Sequence, residues 1–263
     1  MSLPFFSVII PTHGRPQLLQ RAIQSVKANS FRDIEVIVVS DESNPATFEV
    51  LANSLGPDDV FVKRNGSAGP ANSRNLGLSH ARGERIVFLD DDDTFLPDYF
   101  EYAAPFCERN LGQVLYSNYR VCEENREDLS TPTRHNDTNQ SGEAVQECYV
   151  RNFIPNHTCL YPLKSVKNKL QDPYLRSLED WDFLLNVMSD STFQHIDILG
   201  AVVHKDFVNP GNRRGTSAEA RDSRAILDCL YVYRRWPSPT EEIRLKRRDL
   251  MRKAGLELPL EWL

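Results

Sequence analysis

Short apolar runs and amphipathic stretches alternate through the first 90 residues. Phe6 to Ile10 is a continuous run rich in β-branched residues, the pattern of a strand buried on both faces. Pro16 stands where a helix can begin, and Leu18, Leu19, Ala22, Ile23 and Val26 then recur at helical spacing. Glu35 to Val39 predicts a second strand, Thr47 to Ser54 a helix, and Val60 to Lys63 a third strand. Asn72 to Ala81 predicts another helix and Arg85 to Leu89 a fourth strand. This alternation implies right-handed crossovers and a mainly parallel sheet, hence a Rossmann-like α/β sandwich.

The second half is less regular. Pro97 opens a predicted helix, and Gln113 to Val121 has strand character. Residues 123–142 have Leu129 as their only aliphatic side chain, so they predict an exposed loop or hairpin. Asp180 to Met188 predicts a helix, Phe193 to His204 one or two strands, and the tail from Ala218 two helices. In the last of these Thr240 is the expected N-cap and Gly255 the stop.

Composition narrows the class. The 263 residues are 40% hydrophobic and 26% charged, ordinary for a globular chain, and contain no run long enough to span a bilayer. Five widely spaced cysteines without a C-x-x-C pair argue against a disulfide framework or zinc cluster and favour a cytoplasmic setting. A formal charge of −6 gives no general nucleic-acid footprint.

In open α/β sheets, ligands bind beyond the carboxyl ends of the strands. Three such ends are polar: Pro11-Thr12-His13-Gly14-Arg15, Ser40-Asp41-Glu42-Ser43 and Asp90-Asp91-Asp92-Asp93. Four adjacent carboxylates repel one another unless a cation sits among them. Their hard oxygens suit Mg²⁺ or Mn²⁺. In extended geometry Asp90 and Asp92 would share one face and Asp91 and Asp93 the other, and Asp93 would also suit the turn into the Pro97 helix.

The segments FSVIIPTHGRPQLLQRAIQSV, IEVIVVSDES and SAGPANSRNLGLSHARGERIVFLDDDDTFLPDYF, in this order, resemble family 2 glycosyltransferases of the GT-A fold. The resemblance is strong over about the first 110 residues and weaker to about residue 205. It implies inverting transfer of a sugar from a nucleoside-diphosphate donor, uridine-based by expectation, to a carbohydrate or glycolipid hydroxyl. Mn²⁺ or Mg²⁺ would hold the diphosphate, and polysaccharide or other glycoconjugate synthesis would be the setting.

By the same resemblance, Pro11, Thr12, Arg15, Asp41, Arg74, Asp90 and Asp91 fall at the nucleotide, and Asp92 at the metal. His204 falls where relatives carry a late histidine near the metal. In SLEDWDFLLNVM the resemblance makes Asp180 the general base, with Glu179 as fallback. Both would also suit a helix start. Asn156 and His157 fall in the acceptor region, and Trp181 either stacks on a sugar or lies in the core. Arg213 and Arg214 would close over the diphosphate or form a basic surface loop.

These readings divide the chain into a GT-A domain at 1–217, with a nucleotide half (1–110) and an acceptor half (111–217), and a helical extension at 218–263. In the last helix Ile243, Leu250, Met251 and Ala254 share a face, with Lys246, Arg247, Arg248, Arg252 and Lys253 largely elsewhere. Such a helix suits packing onto the domain or a homodimer, or peripheral contact with the inner face of a membrane. Two rival functions stand beside transfer. A sugar nucleotidyltransferase would need a glycine-rich loop after strand one, which PTHGRPQ does not supply. A catalytically silent binding protein of the same fold is disfavoured by the intact Asp92 and Asp180.

Overall fold

The computed structural model describes residues 3–128, 133–208 and 218–263. Its first half is β1 (Phe6–Thr12), α1 (Pro16–Lys27), β2 (Ile34–Ser40), α2 (Pro45–Ser54), β3 (Val60–Lys63), α3 (Pro70–His80) and β4 (Arg85–Phe88). β1 is hydrogen-bonded in parallel to β2 and β4, and β2 to β3. All seven residues of β1 are buried, as the unbroken apolar run requires. Val8 and Ile10 pack on one face with α1 and α4, whereas Ile9 packs on the other with Leu78 and Phe183.

The second half adds β5 (Thr94–Phe95), α4 (Tyr99–Arg109), β6 (Val114–Glu124), β7 (Arg134–Thr138), β8 (Cys159–Pro162), α5 (Leu163–Val166), α6 (Glu179–Met188) and β9 (Phe193–Asp206). The sheet order is β3-β2-β1-β4-β8-β6-β9-β5, with β7 beside β6. β8 runs antiparallel between β4 and β6, so β6 returns parallel to β4 and brings its carboxyl end to the same edge. β9 pairs in parallel with β6 across a register shift at Ser117–Tyr119, and β5 pairs antiparallel with β9. β7, within the polar stretch, pairs antiparallel with β6 and is largely exposed.

Two helices close the fold, α7 (Ala218–Arg235) and α8 (Glu241–Lys253), with Thr240 capping α8 through its hydroxyl. Ile243 and Met251 are buried against the domain, so they present no apolar face to lipid. Ala254, expected on that face, is exposed. Arg247, expected on the polar side, is instead wholly buried. It donates to the main-chain oxygens of Tyr149, Tyr233, Trp236 and Leu263 and lies 4.2 Å over the Tyr233 ring. Among the described residues no helix is long and apolar enough to cross a membrane.

Candidate active site

The acidic run after β4 is a turn and not a continued strand. Asp93 N–H donates to Asp90 O at 3.1 Å, and β5 begins at the next residue. The expected two-and-two division of the aspartates is therefore overturned. Asp90, Asp92 and Asp93 each bring a carboxylate oxygen within 4.8 Å of the others. Asp91 turns back beneath them, accepting from Thr12 Oγ1 at 2.7 Å and from Arg15 Nη2. Arg15 Nη1 donates to Asp92 Oδ2 at 2.8 Å.

Burial pushes the Asp91 carboxyl up to about 6 although Arg15 opposes the shift. Burial, together with the charges of Asp92 and Asp90, also raises Asp93 well above the usual carboxylate range. Thr12 and Asp91 thus brace the turn from below, and Pro11 lies buried within β1, paired with Val39 of β2.

Arg74 joins the two acidic motifs. Buried on α3, it donates to Asp90 Oδ1 at 2.5 Å and to Glu179 Oε1 at 2.9 Å. Gln171 Oε1 accepts from the same guanidinium at 3.1 Å. Gly77, one turn further along α3, permits the approach that this bridge needs: a Cβ there would lie 2.4 Å from Ile9 Cγ2. Leu178, in the left-handed region at φ +62°, turns the chain so that α6 opens on Glu179 and Asp180. Asp180 Oδ1 accepts from Trp181 N–H at 2.8 Å, and Oδ2 accepts from Asn152 Nδ2 at 3.3 Å. Burial and the adjacent Glu179 push the Asp180 carboxyl up to about 6.

The remaining expected residues divide. Asp41 stands at the end of β2, its carboxylate held by His13 Nδ1 at 2.6 Å, Gly69 N–H at 2.8 Å and Arg64 at 3.2 Å. His157 places Nδ1 3.4 Å from Asp93 Oδ2, and burial lowers its pKa to about 4, so its ring is neutral near pH 7. Asn156 Oδ1 accepts from Tyr161 Oη at 3.1 Å. His157 Nε2 and Asn156 Nδ2 are buried without a protein partner.

Trp181 lies in the core, the second of its two expected places. It is 2% exposed, donates to Cys148 O at 2.7 Å and packs edge-on against Tyr233. His204 lies against the acidic turn. Its main chain N–H donates to Asp93 Oδ1 at 2.9 Å, but its ring lies between Thr94 Oγ1 and Glu124 Oε2, each at 2.9 Å. Arg213 and Arg214 lie outside the described residues.

The sequence reading did not single out Arg21, Glu124, Arg126, Arg64, Asn152 or Gln171. Glu124 and Arg126 sit at the carboxyl end of β6, and the strand-end rule applied to β6 would have found them. Their polar surroundings resembled the start of the exposed stretch.

The turn suits a hard divalent cation. Three clustered carboxylates, one of them buried and raised toward protonation, are a donor set that a dication would stabilise in its ionised form. Asp90, Asp92 and Asp93 would hold it.

The mainly parallel α/β sheet with its C-terminal helices is the fold of the GT-A glycosyltransferases. Residues 7–168 match the family model described as glycosyl transferase family 2, and the chain belongs to that family. One relative is the GalNAc(5)-diNAcBac-PP-undecaprenol beta-1,3-glucosyltransferase of Campylobacter jejuni, 42% identical over 97 residues. That match covers 36% of this chain and 31% of the relative, so the chain spans about a third of the relative's length.

Among solved structures, S. aureus TarS 1-349 in complex with UDP-GlcNAc aligns with TM-score 0.68 at 20% identity. The alignment covers 96% of this chain and 73% of that one. The mannosyltransferase PcManGT from Pyrobaculum calidifontis, in complex with GDP-Man and Mn²⁺, aligns with TM-score 0.63 at 15% identity over 97% and 74% of the two chains. At these identities the likeness is one of fold.

Proposed function

We propose that this protein is an inverting glycosyltransferase. It takes a sugar from a nucleoside-diphosphate donor, uridine-based, and passes it to a carbohydrate or glycolipid hydroxyl. The observation that carries this reading is the Arg74 bridge between Asp90 and Glu179. It sets a donor-holding acidic turn against a raised-pKa carboxylate, Asp180. Transfer with inversion needs one carboxylate to take the acceptor hydroxyl's proton while the oxygen attacks the anomeric carbon. A carboxyl near 6 is ionised at neutral pH yet more basic than an exposed aspartate. Asn152 holds one of its oxygens.

Asp90, Asp92 and Asp93 would hold Mn²⁺ or Mg²⁺, which when bound neutralises the departing diphosphate, so that no protonated acid is needed at the leaving group. Arg15 and Arg74 keep the turn in shape before the donor arrives. Asp41, at the end of β2, receives the base edge. To do so it exchanges its contact with His13, the more exposed partner of that pair. Asn156 and His157 offer their unpartnered nitrogens to a substrate hydroxyl.

The test is calorimetric titration of UDP with and without Mn²⁺. Wild type should bind UDP more tightly with Mn²⁺, and Asp92→Asn should lose that enhancement. An enhancement of wild-type size in Asp92→Asn would remove Asp92 from the metal site. A screen of nucleotide sugars by Mn²⁺-dependent hydrolysis would then identify the donor.

A further inference from the structure

Glu124 ends β6, buried at 3% exposure, and three cationic or ring groups converge on it. Arg21 grips both its oxygens, Nη1 to Oε2 at 2.6 Å and Nη2 to Oε1 at 3.0 Å. Arg126 Nε lies 3.4 Å from Oε1, and His204 Nδ1 lies 2.9 Å from Oε2. Burial alone would raise this carboxyl, but the bonds from His204 and Arg21 hold it down to about 2. It is therefore ionised throughout the working range.

Each of these partners reaches on into the acidic turn. Arg21 Nη2 donates to the main-chain oxygen of Asp92 at 2.9 Å. Arg126 Nη2 lies 3.1 Å from Asp92 Oδ2 and donates to His204 O at 2.9 Å. The His204 ring meets Thr94 Oγ1, and its N–H holds Asp93 Oδ1. One carboxylate thus fixes Asp92, Asp93 and Thr94 without touching any of them through its own atoms.

From this geometry we infer that Glu124 is a positioning residue that sets the metal affinity of the acidic turn, and that it does so by sharing Arg126 with the Asp92 carboxylate and so weakening that cation's hold on it. The inference rests on the metal reading above. Asp92 Oδ2 already meets Arg15 at 2.8 Å and Arg126 at 3.1 Å. A guanidinium and a dication compete for the same oxygen, and Glu124 is the opposing anion that shares Arg126. Asp92 is already the closer of the two carboxylates to Arg126, and without the charge of Glu124 it no longer shares that cation, which then competes more strongly with a metal for the Asp92 oxygen. A residue 32 positions downstream in the chain would then govern Asp92 through charge alone.

The experiment is a Mn²⁺ titration of the full chain, followed by electron paramagnetic resonance of free Mn²⁺, with UDP at a fixed concentration. Glu124→Gln keeps the shape and one acceptor oxygen. It should weaken Mn²⁺ at least about tenfold, as partners of metal ligands commonly do. The decisive comparison is the same substitution in an Arg126→Gln background, which also carries the test if the single variant folds poorly. There the loss should shrink to about threefold or less, because the competing cation is gone.

Equal losses in both backgrounds would show that Glu124 only supports the fold and would overturn the inference. Unchanged Mn²⁺ affinity in Glu124→Gln would overturn it too. Wild type that binds no Mn²⁺ with UDP present would instead bring down the metal reading, and the inference with it.

Discussion

Asp180 carries opposite consequences for rate and for stability. Its carboxyl is raised to about 6 by burial and by Glu179, against an unfolded value near 3.9. The folded chain therefore holds this proton more tightly than the unfolded chain. The stability gained is full below the unfolded pKa and is lost as pH rises through 6. At pH 7.5 the ionised group costs stability, so Asp180→Asn should melt higher than wild type, with the difference fading toward pH 4. The same variant should slow transfer by at least about a hundredfold, the usual scale for losing a general base. Wild-type kcat/KM should show an acid limb near pH 6. Asp91 also titrates near 6, so the limb is assigned by its persistence in Asp91→Asn. Near-normal transfer in Asp180→Asn would move the base to Glu179.

The main strands of the first half were legible because they are continuous apolar runs, and α1 because it is amphipathic. Period and length alone distinguish those patterns. β5 and β8 were not legible. Each is two to four residues long and owes its strand form to a partner remote in sequence, β9 for one and β4 and β6 for the other. The site follows the same division. Asp90 to Asp93, Asp41 and Asp180 could be read from motifs at strand and helix ends. Glu124, 32 residues beyond Asp92, acts through a topology that returns β6 beside β8. Asp91 and Asp93 do not share a face because a turn breaks the period-two alternation on which the expectation rested.

Gly77 marks the close approach of α3 to β1, and its consequence can be measured. An alanine Cβ would lie 2.4 Å from Ile9 Cγ2, inside any real contact distance. Gly77→Ala should cost about 1–3 kcal/mol in urea unfolding, the scale of overpacking. It should also loosen UDP binding, because Arg74 sits on the same helix. Ile9→Ala removes the clashing methyl, so the pair of substitutions should cost less than the sum of the two singles. Strict additivity would place the strain elsewhere.

At the scale of the whole molecule, the question is whether residues 218–263 are an appendage or part of the folding unit. Val232, Tyr233, Met251 and Leu263 lie in the same buried cluster as Tyr116, Trp181 and Phe183. Asp182, wholly buried on α6, accepts from Trp236 Nε1 at 2.8 Å and from Arg235 at 3.2 Å. The helix that presents Glu179 and Asp180 is therefore clamped from the far end of the chain. Arg247 completes the clamp through four main-chain oxygens, and burial lowers its pKa only to about 10, so it stays charged near pH 7. Arg247→Leu would leave those oxygens dry and unpartnered, at a cost of about 1–3 kcal/mol for each that water cannot reach. If the segment belongs to the core, wild type should unfold in urea in one transition whether followed by tryptophan fluorescence or by far-ultraviolet circular dichroism. Arg247→Leu should shift both midpoints together, and the chain cut after residue 217 should show no cooperative transition. An early, separate loss of helix signal, with Trp181 fluorescence unchanged, would mark 218–263 as an independent extension.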